Sequence, residues 1–346
     1  MPKKDKISTI YNGSIYTIAD GKDNESAFNK RKDTIQAMEA KAKNEIEALK
    51  IKAFKDLGKR CIKNVDMIET LTVLPITICA FDATEMKKLV WEIKARIKSG
   101  VLSPNEADKN KVEKYLEEKQ RLFQSEIEPI REDIITQVMK EGEYRFVHLM
   151  QSEFVSRPYK VLLYSGLVWV WCNFEVIMKD LWESALNMAG KNVVKDTLKS
   201  VSQKKEGSNK ILGKSISLDY LAKFNYNLSG RLGTALLSKF DFDSLSGLKE
   251  AYSATFPRSL TIKKVLESKT LCELEAKRNV IVHRAGFVDA EYCDKTNTNR
   301  REIGKELEIS SMSIKELNVE VLDCVNNILK AVSSIVSSGS INRKMA

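Results

Sequence analysis

The feature that most constrains the fold of this chain is a long segment that is apolar on nearly all sides. The segment Tyr159–Met188 carries Trp169, Trp171, Phe174 and Trp182. A helix that is apolar around most of its circumference is buried on most sides, in a core or in a subunit contact. The sequence therefore predicts that the C-terminal half of the protein is built around this helix.

The composition favours long helices over a loop-rich β fold. Only 15 of the 346 residues are glycine and 6 are proline, while 43% are hydrophobic and 30% are charged. These values are typical of a soluble globular chain with a sizeable core, and the length favours two domains. We place the boundary between an N-terminal region, 1–152, and a C-terminal domain, 156–346. The fold class is therefore predicted to be mainly α.

The N-terminal region is predicted to combine a β-hairpin with long helices. Asn12-Gly13 lies between two arms rich in β-branched residues, which is a strong hairpin signal. A long helix is predicted over 26–60, and a β-rich stretch, 68–81, is predicted to be extended, with Pro75 restricting it to an edge strand or two short pieces. A helix over 84–98 and another over about 104–140 complete the region. The helices 26–60 and 104–140 could pair as a coiled-coil-like hairpin or belong to an ordinary bundle.

Residues 1–150 contain no catalytic constellation, so target sensing, oligomerisation and blocking of the C-terminal site are all compatible with them. The N-terminus lacks the apolar core of a signal peptide, and the most apolar stretch, Val161–Cys172, is too short to span a bilayer. The six cysteines are widely scattered, and with only two histidines we expect no zinc site and no cofactor. We expect a cytoplasmic protein without a membrane partner.

A helix near the C-terminus carries the residues that point to chemistry. Its apolar arc is predicted to contain Leu271, Leu274, Ile281, Val282 and Ala285, with Gly286 as the stop. Arg278 projects from this arc, where burial is costly unless the guanidinium is paired or faces a polar cleft. Asn279 and His283 are i,i+4 neighbours beside it, so the three polar residues are predicted to share one flank of the helix.

This stretch resembles the signature helix of the HEPN superfamily (higher eukaryotes and prokaryotes nucleotide-binding domains). The residues 278–289 read Arg-Asn-Val-Ile-Val-His-Arg-Ala-Gly-Phe-Val-Asp. They are followed by a short turn predicted over 289–292, which ends at Tyr292, then by a polar loop, a short strand-like stretch at 306–310 and a last helix over 313–337. The resemblance covers roughly 158–338 and is strongest to the HEPN ribonucleases of bacterial toxin and abortive-infection systems. It implies a small helical bundle that dimerises with two signature helices face to face.

The resemblance also implies an activity, which is metal-independent cleavage of RNA that leaves a cyclic phosphate and a 5′-hydroxyl. The expected catalytic residues are Arg278, Asn279 and His283, with Asn279 orienting His283 or a phosphate. Tyr292 is a further candidate, although packing explains it equally well. The expected partners are RNA, a second copy of the chain, and an antitoxin or a phage-derived trigger.

Two alternatives stay open at this point. The protein could be a catalytically silent member of the superfamily that binds RNA or nucleotides or acts as a scaffold. It could also be a plain helical interaction protein in which the motif is coincidental. The bare spacing of Arg and His is too common to separate these readings.

The charge pattern favours a polyanionic partner. The formal net charge is +10, although a solvated lysine-rich surface gives the same value. Two polar loops, 199–214 and 295–305, supply basic side chains that could contact RNA phosphates. The candidate contacts are Lys204, Lys205, Lys210, Arg284, Arg300 and Arg301.

Overall fold

The computed structural model describes residues 8–11, 14–17, 23–98, 114, 117, 144–202 and 218–344, and it is mainly α-helical. Strands β1 and β2 pair antiparallel. A short helical stretch at 144–149 and two 3-10 turns, Leu237–Lys239 and Arg300–Glu302, complete the described elements. The bounds are β1 Ser8–Tyr11, β2 Ser14–Thr17, α1 Asp23–Glu47, α2 Lys52–Lys98, α3 Glu153–Met188, α4 Lys191–Ser202, α5 Leu218–Ala222, α6 Leu232–Leu236, α7 Leu245–Thr255, α8 Leu260–Leu266, α9 Lys269–Arg284, α10 Ala290–Thr296 and α11 Ser311–Lys344.

The stretch 68–81 is helical, so the prediction of an extended segment was wrong. It lies inside α2, which continues through Pro75 to Lys98. The buried positions along α2 recur every three or four residues, which is the spacing of one helix face, and the buried side chains are Cys61, Val65, Ile68, Thr72, Ile76 and Ala80. Burial of this face outweighs the β preference of the isoleucines and threonines, because propensity is a weak prior beside packing.

The helix predicted over 26–60 is interrupted. Helix α1 ends at Glu47 and α2 begins at Lys52, so the chain reverses between them. The return is close, because a Cβ on Gly58 would lie 2.5 Å from the side chain of Ile46. Glu47 accepts ion pairs from Lys55 and Lys59, at 2.7 and 2.9 Å. The Asn12-Gly13 turn and the helix predicted over 104–140 lie outside the described residues, apart from residues 114 and 117.

The chain divides into two compact units, and the division does not follow the boundary predicted near residue 152. One unit contains Met1–Gly21, Thr70–Leu162 and Ser310–Met312, and the other contains Lys22–Glu69, Leu163–Ile309 and Ser313–Ala346. We call the second one the site unit, since it holds α9. The N-terminal helices α1 and α2 contribute to it, which the sequence pattern alone did not indicate.

The site unit is held together around the C-terminal part of α3. Trp171, Phe174, Leu181 and Trp182 are fully buried, so the predicted burial is confirmed for this part of the segment. The Trp182 indole donates hydrogen bonds to Ala251 O at 3.0 Å and Thr255 Oγ1 at 2.9 Å. By length and composition α3 passes the test for a membrane-spanning helix, but half of the relevant window is buried, and core helices pass the same test.

Polar contacts join the N-terminal helices to the rest of the site unit. The Asn64 amide donates to Asn173 Oδ1 at 2.9 Å, and Arg60 forms an ion pair with Asp180. Lys330 of α11 lies 3.1 Å from Glu45. The acid Asp180 of α3 is therefore paired with a residue of α2.

The other unit is smaller, and its side-chain contacts include an aromatic pair and an ion pair. The rings of Phe146 and Tyr159 pack edge to face with centroids 4.8 Å apart. Arg145 forms an ion pair with Asp82 at 3.2 Å.

Three boundaries near the C-terminus differ from the predictions. Asp289 caps a short helix, α10, where a turn was predicted. A single antiparallel bridge, Phe287 with Glu306, replaces the strand predicted at 306–310. Helix α11 begins at Ser311 rather than at Ser313. The last helix buries an apolar stripe against the rest of the site unit, and its members are Val319, Leu322, Val325, Leu329, Val332 and Val336.

Gly233→Ala is expected to destabilise the site unit by about 2 kcal/mol or more. A Cβ at this position would lie 2.2 Å from the backbone oxygen of Glu183 in α3, and a backbone atom cannot turn away as a side chain can. Urea unfolding of the purified variant measures the loss, with exposed Ser238→Ala as the control. Equal stability of both variants would contradict this packing of α6 on α3.

Candidate functional site

Helix α9 is defined at both ends by local backbone chemistry. The Ser268 hydroxyl accepts from the Leu271 N–H at 3.4 Å, which caps the first turn. The helix stops where Ala285 and Gly286 adopt left-handed φ angles of 52° and 87°. The backbone N–H of Gly286 donates to Val280 O at 3.1 Å. The predicted stop at Gly286 is thus confirmed, since Ala285 is the C-cap residue and Gly286 follows it directly.

The predicted apolar arc of α9 is only partly buried. Leu271 and Leu274 are buried, whereas Val282 is 50% exposed and Ala285 is exposed. The buried face instead continues through Ala276 and Val280. The exposed apolar positions therefore lie on the same side of the helix as Arg278, since positions 278, 282 and 285 follow helical spacing.

Arg278 is half-buried beside α3. Its guanidinium donates from an Nη atom to Asn279 Oδ1 at 3.0 Å, while its Nε is buried without a hydrogen-bond partner among the described residues. Burial raises the pKa of Cys172 and of Glu175, and the positive charge of Arg278 opposes both shifts. The structure does not support the prediction that Asn279 orients His283, because the side-chain oxygen of Asn279 accepts a hydrogen bond from Arg278.

His283 lies on a different side of α9 from Arg278. It is exposed, and together with Asn279 it lines a cavity of about 220 Å³ between α9 and α10. Arg278 is not among the residues that line this cavity. Positions five residues apart on an α-helix are separated by about 140°, so Arg278 and His283 point to different sides. Asn279 contacts Arg278 on one side and lines the cavity with His283 on the other. The prediction that all three residues share one flank of the helix therefore holds for Asn279 and His283 only.

The remaining acids near α9 have structural partners. Glu275 Oε1 accepts from the Leu245 N–H at 2.7 Å, at the start of α7, where a carboxylate is favoured by the helix dipole. Glu175 lies close to Asp243 and Arg278. Burial raises the pKa of Glu175, the Asp243 carboxylate raises it further, and Trp171 and Arg278 act in the opposite direction.

Glu175→Gln is expected to stabilise the protein at pH 7. Because folding raises the pKa of Glu175, the folded state holds its proton more tightly than the unfolded state. The resulting stabilisation is complete below the unfolded pKa of about 4.3 and is lost as pH rises through the folded value. Thermal unfolding should show a higher Tm for the variant at pH 7 and no difference near pH 4. Exposed Glu267→Gln serves as the control, and a lower Tm for Glu175→Gln at pH 7 would contradict the expected sign.

The predicted RNA-contacting residues fall into three groups. Arg284 is paired with Asp289 at 3.2 Å, and Arg300 is paired with Asp294 at 2.9 Å. Arg301 is exposed. The three candidate lysines in the first polar loop lie outside the described residues, and these are Lys204, Lys205 and Lys210. Tyr292, the weaker catalytic candidate, is buried in a core cluster with Ala276 and Val280, so packing explains it.

Sequence reasoning missed the polar rim of the cavity and the solvent-facing side of α3. The rim contains Asp289, Glu291 and Lys295, and the i,i+4 spacing of Glu291 and Lys295 was the available signal. On α3, Trp169 and Val176 are 44% and 46% exposed, and Cys172 between them is exposed. Their spacing of three and four residues was visible in the sequence, but an all-round apolar helix does not indicate which side is left uncovered.

Within the described part of the chain, no cluster of three or more His, Cys, Asp or Glu side chains is arranged to hold a metal ion. Comparison with known proteins gives no match: no family model, no curated protein and no solved structure matches the chain.

Proposed function

We propose that this protein is a metal-independent endoribonuclease of the HEPN type that acts as a homodimer. The observation that carries the proposal is the position of Asn279, whose Oδ1 accepts from Arg278 and whose side chain lines a solvent-accessible cavity together with His283. The side-chain amide of Asn279 thus contacts the guanidinium of Arg278 and shares a cavity with the imidazole of His283. The motif resemblance over 278–289 supports the same assignment.

The chemistry needs few protein groups, since RNA carries its own nucleophile. His283 takes the proton of the 2′-hydroxyl or donates one to the leaving 5′-oxygen, and imidazole is suited to either transfer near neutral pH. The 2′-oxygen attacks phosphorus while the bond to the 5′-oxygen breaks, so the products are a 2′,3′-cyclic phosphate and a 5′-hydroxyl. Arg278 presents its fork to the phosphate oxygens and stabilises their charge in the transition state.

A second copy of the chain supplies what one protomer lacks. Arg278 and His283 point to different sides of α9, so one phosphate is not expected to reach both from a single protomer. A two-fold axis repeats each residue across the contact. Facing α9 helices would bring Arg278 of one copy toward His283 of the other, which forms a shared groove.

The surface for this contact is an apolar strip that we define by Trp169, Cys172 and Val176 on α3 and Val282 and Ala285 on α9. The two helices run antiparallel side by side. A Cβ on Gly286 would lie 2.5 Å from the Tyr164 ring, and further along both helices Arg278 acts on Cys172 and Glu175.

Large exposed apolar side chains in a continuous strip are typical of an interface. The occupant we propose is a second copy, because the strip borders Arg278 and the catalytic pair is incomplete without that copy.

The cellular role follows from the resemblance alone. We propose a cytoplasmic effector of growth arrest during phage infection, held inactive by an antitoxin or released by a phage-derived trigger, with the N-terminal region involved in sensing. The second candidate is a catalytically silent RNA- or nucleotide-binding scaffold. The position of Arg278 outside the cavity at His283 favours this candidate, because one protomer alone does not bring the two side chains together.

Incubation of the purified protein with total RNA in the presence of EDTA tests the function directly. The expected result is EDTA-resistant cleavage by the wild type, loss of cleavage in His283→Ala, and products that end in a cyclic phosphate and a 5′-hydroxyl. Binding of RNA without fragmentation would support the silent scaffold. If the protein neither binds nor cleaves RNA, the remaining interpretation is a helical interaction protein.

A further inference from the structure

We infer that the cavity between α9 and α10 is a binding site for a guanine base of RNA. This inference rests on the proposed function, because it names the part of the substrate that lies beside the catalytic residues. The cavity of about 220 Å³ is smaller than the roughly 300–1,000 Å³ of typical pockets for drug-sized ligands, so it suits a single base.

The floor of the cavity is apolar and its rim is charged. Ala276, Val280 and Tyr292 form the floor and belong to a buried cluster. The rim carries two cations, and each is matched by an acid: Arg284 with Asp289 at 3.2 Å, and Lys295 with Glu291 at 2.8 Å.

The balance of charge on the rim excludes a phosphate as the favoured occupant. A phosphate would be repelled by the two rim carboxylates, and the two rim cations are already paired with those acids. An uncharged heteroaromatic ring meets no net repulsion. An apolar floor with polar groups at the rim is the arrangement that holds a flat base and reads its edge. The cavity therefore suits the base of a nucleotide, while its phosphate lies outside, in the groove that the proposed second copy completes with its own Arg278.

The Glu291–Lys295 pair selects among the bases. Asp289 is fully engaged, since its two oxygens accept from the Tyr292 N–H and from Arg284. Glu291 is the acid that can bind a base: among the described residues it is paired with Lys295 through one oxygen. The side chains of Glu291 and Lys295 are 70% and 40% exposed, so their ion pair is weak.

A carboxylate accepts two parallel N–H donors, and among the four bases only the Watson–Crick edge of guanine offers them, at N1 and N2. Next to them lies the O6 acceptor, which the adjacent Lys295 ammonium can contact. Cytosine and adenine offer one amino group, and uracil offers one N–H.

Glu291→Gln separates this assignment from a structural role. The variant keeps the shape but replaces one acceptor by a donor, which opposes a donor on guanine. The matched control is Glu302→Gln, which also removes an exposed acid paired with a lysine, Lys305 at 2.9 Å, away from the cavity.

The probes are four 2′-O-methyl hexanucleotides in which uridine alternates with guanosine, adenosine, cytidine or uridine. They cannot be cleaved by 2′-hydroxyl attack, so binding is measured whether or not the protein is a nuclease. Fluorescence anisotropy should show the wild type binding the guanosine probe at least about fivefold more tightly than the others. Glu291→Gln should abolish that preference, and Glu302→Gln should keep it.

Equal affinity for all four probes, no binding of any probe, or the same behaviour of the two variants would overturn the inference. Each of these results would do so even if total RNA is cleaved. Conversely, a guanosine preference lost only in Glu291→Gln would stand even if no RNA were cleaved, and it would then support a silent RNA-binding protein.

Discussion

His283→Ala is expected to lower the rate of RNA cleavage by about 10²–10⁴-fold, the range typical of removing a general acid or base. His283 is exposed at the cavity, so its replacement by alanine should leave the fold intact. Lys269→Ala is the control, because it removes an exposed cation at the other end of the same helix, outside the cavity. Cleavage of a labelled RNA by the two variants, with circular dichroism for the fold, measures the difference.

Arg278→Lys provides a second test of the same site. The change keeps the positive charge but removes the planar fork, so it should lower cleavage by about 10²-fold while leaving the helix intact. Wild-type rates for Arg278→Lys would mean that a point charge suffices. Wild-type rates for His283→Ala would remove the imidazole from the mechanism.

Val282→Glu is expected to split the dimer and abolish cleavage at the same time. Val282 is half exposed in the apolar strip, and a two-fold axis would bring two new carboxylates close together in a dehydrated contact. The penalty of several kcal/mol exceeds what a modest interface can offset. Sedimentation velocity should show a dimer for the wild type and a monomer for the variant.

Leu260→Glu is the matched control for this substitution. Leu260 is 82% exposed at the first turn of α8, away from the strip, where an acid is favoured by the helix dipole. It should leave both the dimer and the cleavage rate unchanged. A wild type that sediments as a monomer, or a dimeric and active Val282→Glu variant, would contradict the proposed interface.

The elements with strong periodicity could be predicted from the sequence. Tyr159–Met188 and 271–285 show helical spacing over several turns, and the structure has α3 and α9 there. The stretch 68–81 could not be predicted, because its β-branched residues follow a helix face only when that face is buried in the fold. Local preference and packing disagree at this point, and packing is decisive.

The site was predictable in its residues and not in its arrangement. Arg278, Asn279 and His283 stand out in the sequence, but their division between two sides of α9 depends on side-chain direction and on α10, which was predicted as a turn. The Asn279–Arg278 hydrogen bond and the cavity at His283 are tertiary features. Periodicity locates a face of a helix and does not indicate what covers it.

The most direct measurement of the central claim, that the catalytic pair is shared between two copies, is complementation between Arg278→Ala and His283→Ala. Each variant alone should be inactive. When they are mixed and allowed to exchange subunits, half of the dimers are mixed, and each mixed dimer restores one of its two Arg–His pairs. We predict that cleavage returns to about a quarter of the wild-type rate. Two variants that form mixed dimers and stay inactive would contradict the claim.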